Sequence, residues 1–244
     1  MPDVQTNQTE APYMEWYLPK KVATYSVQVV FPGGGYDKVS EPWEGQYVAE
    51  RFNEYGMAAV VVHYRTPHPV GMPEYYSAWQ DAQRAIRLVR RGAKRKGLNP
   101  DSIGAIGFSA GGNLVLHCAT RSLKPAYARV DETDDLPCSL QWAIPVYPWH
   151  VLDGNSDAGG IVKDFAFDLA TPPMCFLHGD ADRIAPAMGS VKAWTRLREM
   201  GIQCDLHTLV GRGHCFQFSA SDGTGSATWF DRILEFFTQK SPLK

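Results

Sequence analysis

The fold of this chain is indicated most strongly by the segment IGAIGFSAGGNLVL, residues 103–116. Small and apolar residues lead into the pattern Gly-Phe-Ser-Ala-Gly, in which Ser109 stands between glycines, and a leucine-rich stretch follows. This pattern predicts a sharp turn from a strand into a helix, with the serine oxygen exposed above a sheet and the backbone strained. The glycines two residues to either side let strand and helix approach without a side-chain clash.

Short apolar runs alternate with amphipathic stretches on both sides of this turn. Several runs are nearly continuous in apolar residues, as in strands that are covered on both faces. The predicted strands span residues 25–31, 57–63, 102–107, 140–146, 174–178 and 202–209. The predicted helices span residues 74–96, 110–120, 188–200 and 226–238. This alternation predicts an α/β fold with a mostly parallel central sheet and helices on both faces.

The length of 244 residues predicts a single domain over residues 1–244. Two stretches, residues 121–137 and 147–173, break the alternation and are rich in Asp, Gly and Pro. We interpret them as loops or a small lid over the carboxyl edge of the sheet, where open α/β sheets place their sites.

Composition and charge exclude several classes of protein. Apolar residues make up 44% of the chain and charged residues 20%, which is typical of a soluble globular protein with a sizeable core. The formal net charge is −2, and no long block of one sign occurs. The most basic patch, residues 87–96, has helical spacing, so we interpret it as a solvated helix face rather than a nucleic-acid site. No apolar run is long enough to span a bilayer.

Targeting signals and metal-binding patterns are not evident either. The polar N-terminus lacks the basic start and apolar stretch of a signal peptide, so we expect a cytoplasmic protein, or a secreted one if a leader has been removed. Five cysteines without a C-x-x-C pair are expected to be buried free thiols. Cys215, beside His214, is interpreted as a packing residue. Neither a metal nor a cofactor is predicted, and the oligomeric state is left open.

Histidine is the natural base for Ser109, because its pKa lies near the working range and a serine hydroxyl needs a base to take its proton. Among seven histidines, His117 falls within a predicted helix, and His207 and His63 fall in or at the end of predicted strands. His214 stands in VGRGHCF, a glycine-flanked loop between the last predicted strand and the last helix. From this loop an imidazole can reach across the sheet edge, so His214 is the candidate base.

The base needs an acid to orient it, and two candidates stand together. Asp180 and Asp182 lie in HGDADRIAP, residues 178–186, again where a predicted strand ends. Either aspartate can orient His214 from this position.

Donors for a developing oxyanion are expected from the segment FPGGGY, residues 31–36. A run of three glycines lets backbone N–H groups face a substrate oxygen without side chains in the way. A nucleotide-binding loop is not favoured, since neither G-x-G-x-x-G nor G-x-x-x-x-G-K-[ST] occurs. The N–H of Ala110, at the start of a predicted helix, would complete the hole.

Taken together, these motifs resemble the α/β-hydrolase superfamily. The likeness is greatest to the small carbohydrate esterases, the group of acetyl xylan and feruloyl esterases, and more distant to prolyl-oligopeptidase catalytic domains. The matching motifs are PGGGY at 32–36, YR at 64–65, GFSAGG at 107–112, HGDADRIAP at 178–186 and GH at 213–214. The resemblance implies that the acid is Asp182 and that the oxyanion glycines are Gly33 and Gly34, with Gly35 still open.

Two departures from the superfamily pattern bear on the prediction. Pro32 stands before the glycines where many relatives have histidine, which fits the sugar-esterase branch better than the lipases. The N-terminal strands common in the superfamily are not evident before residue 25, so we expect a shortened sheet.

These residues predict a serine carboxylesterase that works through an acyl-enzyme on a small-molecule or saccharide ester. A small lid offers little apolar cover for a long acyl chain, so short acyl groups are expected, such as acetyl groups on a carbohydrate. The predicted triad is Ser109, Asp182 and His214, and the predicted oxyanion donors are the N–H groups of Gly33, Gly34 and Ala110.

Aromatic residues just past predicted strand ends are candidates for substrate binding. Tyr36 and Trp149 occupy such positions, and aromatic faces suit sugar rings, although most buried tryptophans are core residues. Two other functions remain open at this point. One is an amidase or peptidase with the same triad, and the other is a catalytically silent binding protein, because a fold alone does not prove activity.

Overall fold

The computed structural model describes residues 5–218 and 228–240. Its strands are β1 (Gln5–Asn7), β2 (Tyr13–Tyr17), β3 (Val27–Phe31), β4 (Val39–Glu41), β5 (Ala58–His63), β6 (Ile103–Phe108), β7 (Trp142–Val146), β8 (Met174–Gly179) and β9 (Cys204–Leu209). Its α-helices are α1 (Gln46–Glu54), α2 (Tyr76–Arg95), α3 (Ala110–Thr120), α4 (Met188–Glu199) and α5 (Trp229–Lys240). Short 3₁₀ turns lie at Glu132–Asp135, Asp153–Asn155 and Phe216–Phe218.

Seven strands form one sheet in the order β2-β5-β3-β6-β7-β8-β9. β2 is antiparallel to β5, and every other neighbouring pair in this sheet is parallel. β1 and β4 pair with each other outside it. Every residue of β3, β5 and β6 is buried, because helices cover both faces of the sheet. The predicted α/β fold with a mostly parallel sheet is confirmed.

Two apolar clusters lie on opposite faces of the sheet. Val29 of β3 belongs to the cluster with buried residues of α2, α3 and α4, whereas its neighbour Val30 belongs to the cluster with those of α1 and α5. This separation follows from the period of two along a strand. Within residues 5–218 and 228–240, no helix combines the length and the apolar character needed to cross a bilayer.

The six predicted strands are all present, with bounds that differ by at most two residues. The first residues of the predicted helix at 226–238 lie outside the described part of the chain, and α5 covers the rest. A strand that was not evident before residue 25 is present as β2, the edge strand of the seven-stranded sheet. Its side chains are partly exposed and mix Glu with aromatic residues, so β2 lacks the continuous apolar pattern of a buried strand.

The segment 121–137 is fastened to α2 by arginine side chains. Arg90 is 4% exposed and donates to the carbonyl oxygen of Pro137 at 3.0 Å. Arg84 forms an ion pair with Asp131 at 2.6 Å. Other arginines of α2 bind the same segment: Arg87 and Arg91. The interpretation of the basic patch as a solvated face is therefore wrong for Arg90, which is a buried link between helix and loop.

The segment 147–173 lies against α4. Val151 and Phe165 are buried in the apolar cluster on that side of the sheet. Lys192 of α4 donates from Nζ to the carbonyl oxygen of Gly159 at 2.7 Å. These contacts give the segment a defined position, and its opening as a lid stays a prediction.

Glu41, the last residue of β4, is a largely buried acid whose side chain is 15% exposed. Its Oε2 accepts the N–H of Gln46 at 3.1 Å, and its Oε1 has no hydrogen-bond partner in the part of the chain that the structure describes. Burial raises the pKa of Glu41 to about 7, although the N–H of Gln46 opposes the shift, and the nearby Glu15 adds to it. Between pH 4.5 and about 7, the side chain of Glu41 is therefore protonated in the folded protein and ionised in the unfolded chain.

We expect Glu41→Gln to remove part of the pH dependence of stability. Because the pKa in the folded protein lies above the usual 4.5, wild-type stability falls as pH rises from 4.5 to about 7. Glutamine does not ionise, so the free energy of unfolding of the variant should rise relative to wild type by up to about 3 kcal/mol between pH 5 and pH 8. Urea denaturation at both values measures this. A difference that stays constant with pH would contradict the prediction.

Candidate active site

Ser109 lies in the tight turn between β6 and α3, at the carboxyl edge of the sheet. Its φ of 52° and ψ of −116° are rarely adopted by a residue with a side chain. The flanking glycines make the turn possible. A Cβ on Gly107 would lie 2.1 Å from the carbonyl oxygen of Gly111, and a Cβ on Gly111 would lie 2.0 Å from that of Phe31. The predicted strand–turn–helix geometry is present.

His214 links the predicted nucleophile to the predicted acid. It lies in the loop after β9, with Nε2 2.9 Å from Oγ of Ser109 and Nδ1 2.7 Å from Oδ2 of Asp182. A carboxylate can only accept, so Nδ1 carries the proton and the Ser109 hydroxyl donates to Nε2. The three residues predicted as a triad, about 30 to 105 positions apart in sequence, thus form one chain of hydrogen bonds.

Asp182 is held in a turn after β8 by backbone donors. Its Oδ1 accepts the N–H groups of Ile184 and Ala185 at 2.8 and 2.9 Å, which leaves Oδ2 for His214. Burial by itself would raise the pKa of this carboxyl, but hydrogen bonds from His178, His214 and the N–H of Ala185 outweigh burial and lower it. Asp182 therefore stays ionised beside the imidazole.

Asp180, the other acid left open by the residue pattern, lies elsewhere. It is exposed, and its Oδ1 accepts the N–H of Gly211 at the end of β9. The structure brings Asp182, and not Asp180, to His214.

His178 is a supporting residue that the sequence did not single out. It is fully buried at the end of β8, with Nδ1 2.8 Å from Oγ of Ser190 and Nε2 2.9 Å from the carbonyl oxygen of Ala185. Nε2 also lies 3.5 Å from Oδ2 of Asp182. His178 thus fixes the turn that carries the acid. The signal for it was present, since it opens the motif HGDADRIAP.

Of the three predicted oxyanion donors, Gly33 differs from the other two in its hydrogen bonding. Its N–H donates to Oε2 of Glu44 at 2.8 Å and is occupied. The N–H groups of Gly34 and Ala110 have no acceptor among the described residues. Gly34 has φ of 124°, and a Cβ there would lie 2.2 Å from the carbonyl oxygen of Lys38, so the loop requires glycine at this position. Gly34 and Ala110 remain the candidate donors.

Glu44 is a buried carboxylate that no sequence motif indicated. It is 2% exposed and binds the glycine loop through Gly33. Its Oε1 accepts the hydroxyl of Tyr147 at 2.7 Å and Nε2 of Gln217 at 3.3 Å. The ring of Tyr147 in turn lies against that of His214, with centroids 4.7 Å apart. Glu44 therefore ties together the loops that carry the oxyanion donors and the base.

Burial raises the pKa of Glu44, whereas hydrogen bonds from Tyr147 and Gly33 favour its ionised form.

We expect Glu44→Gln to lower kcat for a simple ester about tenfold, or about 1.4 kcal/mol in the barrier, with little change in KM. Gly33 and Tyr147 donate to different oxygens of Glu44, and the amide replaces one of these oxygens with an NH₂ donor, so glutamine loses one of the two hydrogen bonds. The free energy of unfolding should fall by about 1–3 kcal/mol.

Steady-state kinetics and urea denaturation measure both effects. The exposed Glu50→Gln on α1 is the matched control and should change neither. A Glu44→Gln variant with wild-type kcat would show that this carboxylate does not position the site.

The two predicted aromatic contacts differ in their surroundings. Tyr36 is 2% exposed, and its hydroxyl donates to Oδ1 of Asn113 at 2.6 Å. Tyr36 also lines a cavity beside α3, and its contact with a substrate stays a prediction. Trp149 is half-buried and stacks on His150 with centroids 3.6 Å apart. Contact of Trp149 with a substrate stays a prediction.

Cys215 follows the candidate base and packs within the site. It is half-buried with φ of 58°, and burial raises the pKa of its thiol to about 12, so the thiol stays protonated. The structure describes all five cysteines as free thiols. Across residues 5–218 and 228–240, no three His, Cys, Asp or Glu side chains are grouped as metal ligands.

Two models of protein families match this chain. Residues 14–135, half of the chain, match the family model BD-FAE. The chain belongs to the BD-FAE family. A second model, the prolyl oligopeptidase family, matches residues 140–243. The BD-FAE segment contains Ser109, and the second segment contains Asp182 and His214. The predicted resemblance to α/β-hydrolase esterases is thereby confirmed.

Similar proteins include an acetylxylan esterase and two hydrolases of known structure. The acetylxylan esterase of Xylanibacter ruminicola is 28% identical over 243 residues, which cover 91% of this chain and 46% of that protein. The chain therefore spans less than half of that relative. An acetyl ester-xyloside bifunctional hydrolase from Caldicellulosiruptor lactoaceticus superposes with a TM-score of 0.81 at 25% identity, over 96% of this chain and 89% of that one. A thermophilic esterase from Thermogutta terrifontis shares the fold, with a TM-score of 0.80 at 24% identity over 99% and 96% of the two chains.

Proposed function

We propose that this BD-FAE protein is a serine carboxylesterase that removes short acyl groups, above all acetyl groups, from carbohydrates. The observation that carries the proposal is the pair of hydrogen bonds at His214, 2.9 Å to Ser109 and 2.7 Å to Asp182. This is the arrangement that activates a serine hydroxyl for acyl transfer. The names of the acetylxylan esterase and of the acetyl ester-xyloside hydrolase support an acetylated sugar as substrate.

The reaction proceeds in two halves. Oγ of Ser109 attacks the ester carbonyl carbon while His214 takes the hydroxyl proton. The N–H groups of Gly34 and Ala110 bind the oxyanion of the tetrahedral intermediate. His214 then gives its proton to the leaving alcohol, which departs and leaves the acyl group on Ser109. Water attacks the acyl-enzyme with the same base and acid steps and releases the carboxylic acid.

A series of p-nitrophenyl esters, followed by an acetylated xylan, tests the proposal. We expect turnover of the acetate, a fall in kcat/KM from acetate through butyrate to octanoate, and release of acetate from the polysaccharide. A preference for octanoate would contradict the assignment of a short acyl group. No turnover of any of these esters would overturn the esterase function.

Amide hydrolysis is the second candidate, because the prolyl oligopeptidase family matches residues 140–243. The triad chemistry is shared, but an amine is a poorer leaving group than an alcohol. Parallel assays of p-nitrophenyl acetate and p-nitroacetanilide separate the two functions. We expect the ester to be hydrolysed much faster, and a kcat/KM for the anilide equal to that for the ester would favour an amidase.

A further inference from the structure

A cavity of about 400 Å³ lies along α3 beside the candidate nucleophile. Asn113 and His117 of α3 line it, four and eight residues after Ser109. Residues four apart share one face of a helix, with a rise of about 5.4 Å per turn. The cavity therefore begins about one turn from Ser109 and leads away from it. The rest of its lining comes from Tyr36, from residues 73–75 and from several residues between 150 and 164.

His117 presents a fixed donor to this cavity. The residue is 1% exposed, and Nη1 of Arg121 lies 3.2 Å from its Nδ1. A guanidinium can only donate, so Nδ1 accepts and the proton of the neutral ring resides on Nε2. Burial, and then the charge of Arg121, lower the pKa of His117 well below its usual value and keep the ring neutral. Nε2 makes no hydrogen bond to a described residue and is not one of the fully buried atoms that lack a partner, so this N–H is free for a ligand that enters the cavity.

Carboxylates supply acceptors around the same cavity. Glu74 lies 3.2 Å from Nδ1 of His150, and Oδ2 of Asp164 accepts the hydroxyl of Tyr75 at 3.0 Å. Asp153 lines the cavity from the opposite segment. Among the described residues that line it, none is Lys or Arg. A ligand here meets the N–H donor of His117 and several carboxylate oxygens, and the nearby Arg121 is engaged with His117 and Tyr75 outside the lining.

We propose that this cavity binds the alcohol part of the ester as a neutral polyhydroxylated group. One hydroxyl oxygen of this group accepts from Nε2–H of His117, and other hydroxyls donate to Glu74, Asp153 and Asp164. Each hydroxyl can donate and accept, which matches this mixed lining. A sugar that carries its own carboxylate is disfavoured by like-charge repulsion. The inference rests on the proposed esterase function and adds to it the place and the charge class of the leaving group.

The first test compares monoacetylated methyl xyloside with p-nitrophenyl acetate, whose leaving group has no aliphatic hydroxyl. His117→Phe keeps a ring against Tyr75 but removes the donor. We expect kcat/KM for the xyloside ester to fall at least tenfold more than that for p-nitrophenyl acetate. His117→Gln, which restores an N–H donor, should recover part of that loss. Equal losses for both esters, or no loss for the xyloside, would overturn the proposed binding site.

The second test uses charge and does not depend on a buried substitution. Wild type should hydrolyse monoacetylated methyl xyloside with at least tenfold higher kcat/KM than monoacetylated methyl glucuronoside. The exposed Asp153→Asn should reduce this ratio severalfold. Asp157→Asn, exposed in the same segment but outside the cavity, should leave it unchanged. A ratio that responds equally to both variants, or not at all, would contradict the proposal. Absence of turnover of every ester by wild type would instead overturn the esterase function itself.

Discussion

Ser109→Ala should lower kcat for p-nitrophenyl acetate by about 10⁴- to 10⁶-fold. The substitution removes the hydroxyl oxygen that lies 2.9 Å from Nε2 of His214 and keeps the same Cβ. Without it no acyl-enzyme forms, and the oxyanion donors and binding contacts alone support only a small residual rate. Alanine adopts the strained φ of 52° no better and no worse than serine, so the free energy of unfolding should change by less than about 1 kcal/mol.

Initial rates at saturating ester and urea denaturation check both parts of this expectation. Ser156→Ala, an exposed serine in the segment 147–173, is the matched control and should keep wild-type kinetics. An aryl phosphonate adds an independent readout, because it should raise the mass of wild type by one adduct and leave Ser109→Ala unmodified. Substantial turnover or labelling of Ser109→Ala would mean that another residue is the nucleophile.

Asp182→Asn should lower kcat by about 10³- to 10⁴-fold, with a smaller effect on KM. The carboxylate accepts the proton on Nδ1 of His214 at 2.7 Å. An asparagine amide that donates at this position favours the tautomer with the proton on Nε2, which can no longer accept from Ser109. The Oδ1 atom that binds two backbone N–H groups can be preserved in asparagine, so the turn after β8 should stay folded.

Asp180→Asn is the control for this variant, because Asp180 is exposed and contacts Gly211 rather than His214. We expect its kcat to stay within about threefold of wild type, which corresponds to less than about 1 kcal/mol in the barrier. Loss of activity in Asp180→Asn with retention in Asp182→Asn would exchange the roles of the two aspartates.

Acid stability gives a further readout for Asp182. Its pKa in the folded protein is lowered below the usual 3.8, so its ionised form adds stability above pH 3.8 that is lost as pH falls. Wild type should therefore lose more free energy of unfolding than Asp182→Asn between pH 5 and pH 3. A larger loss in the variant would contradict the assigned hydrogen bonds.

The sheet was predictable where strands are buried on both faces. β3, β5 and β6 are nearly continuous runs of apolar and small residues, and their positions follow from sequence to within two residues. β2 and α1 were missed for a common reason. β2 is a partly exposed edge strand, and α1 buries only Val48, Ala49 and Phe52. Elements that bury little apolar surface leave little apolar periodicity in the sequence.

The candidate triad was predictable because its residues stand in short local motifs at strand ends. The choice between Asp180 and Asp182 rested on family resemblance, since both stand at the same strand end. Gly33 was assigned as a donor because a glycine run offers free N–H groups. Only the structure shows that Glu44 occupies its N–H, from a position 11 residues away and without a motif.

The sequence by itself determined the alternating α/β pattern, the turn at Ser109 and the chain order of the candidate nucleophile, acid and base. Each depends on local properties, namely periodicity, glycine spacing and the ends of strands. The tertiary structure alone decided which N–H groups are free, which carboxylates are buried, and that His117 and Asp153 face one cavity. These features depend on contacts between segments that are far apart in the sequence. Such contacts leave no local pattern in a single sequence.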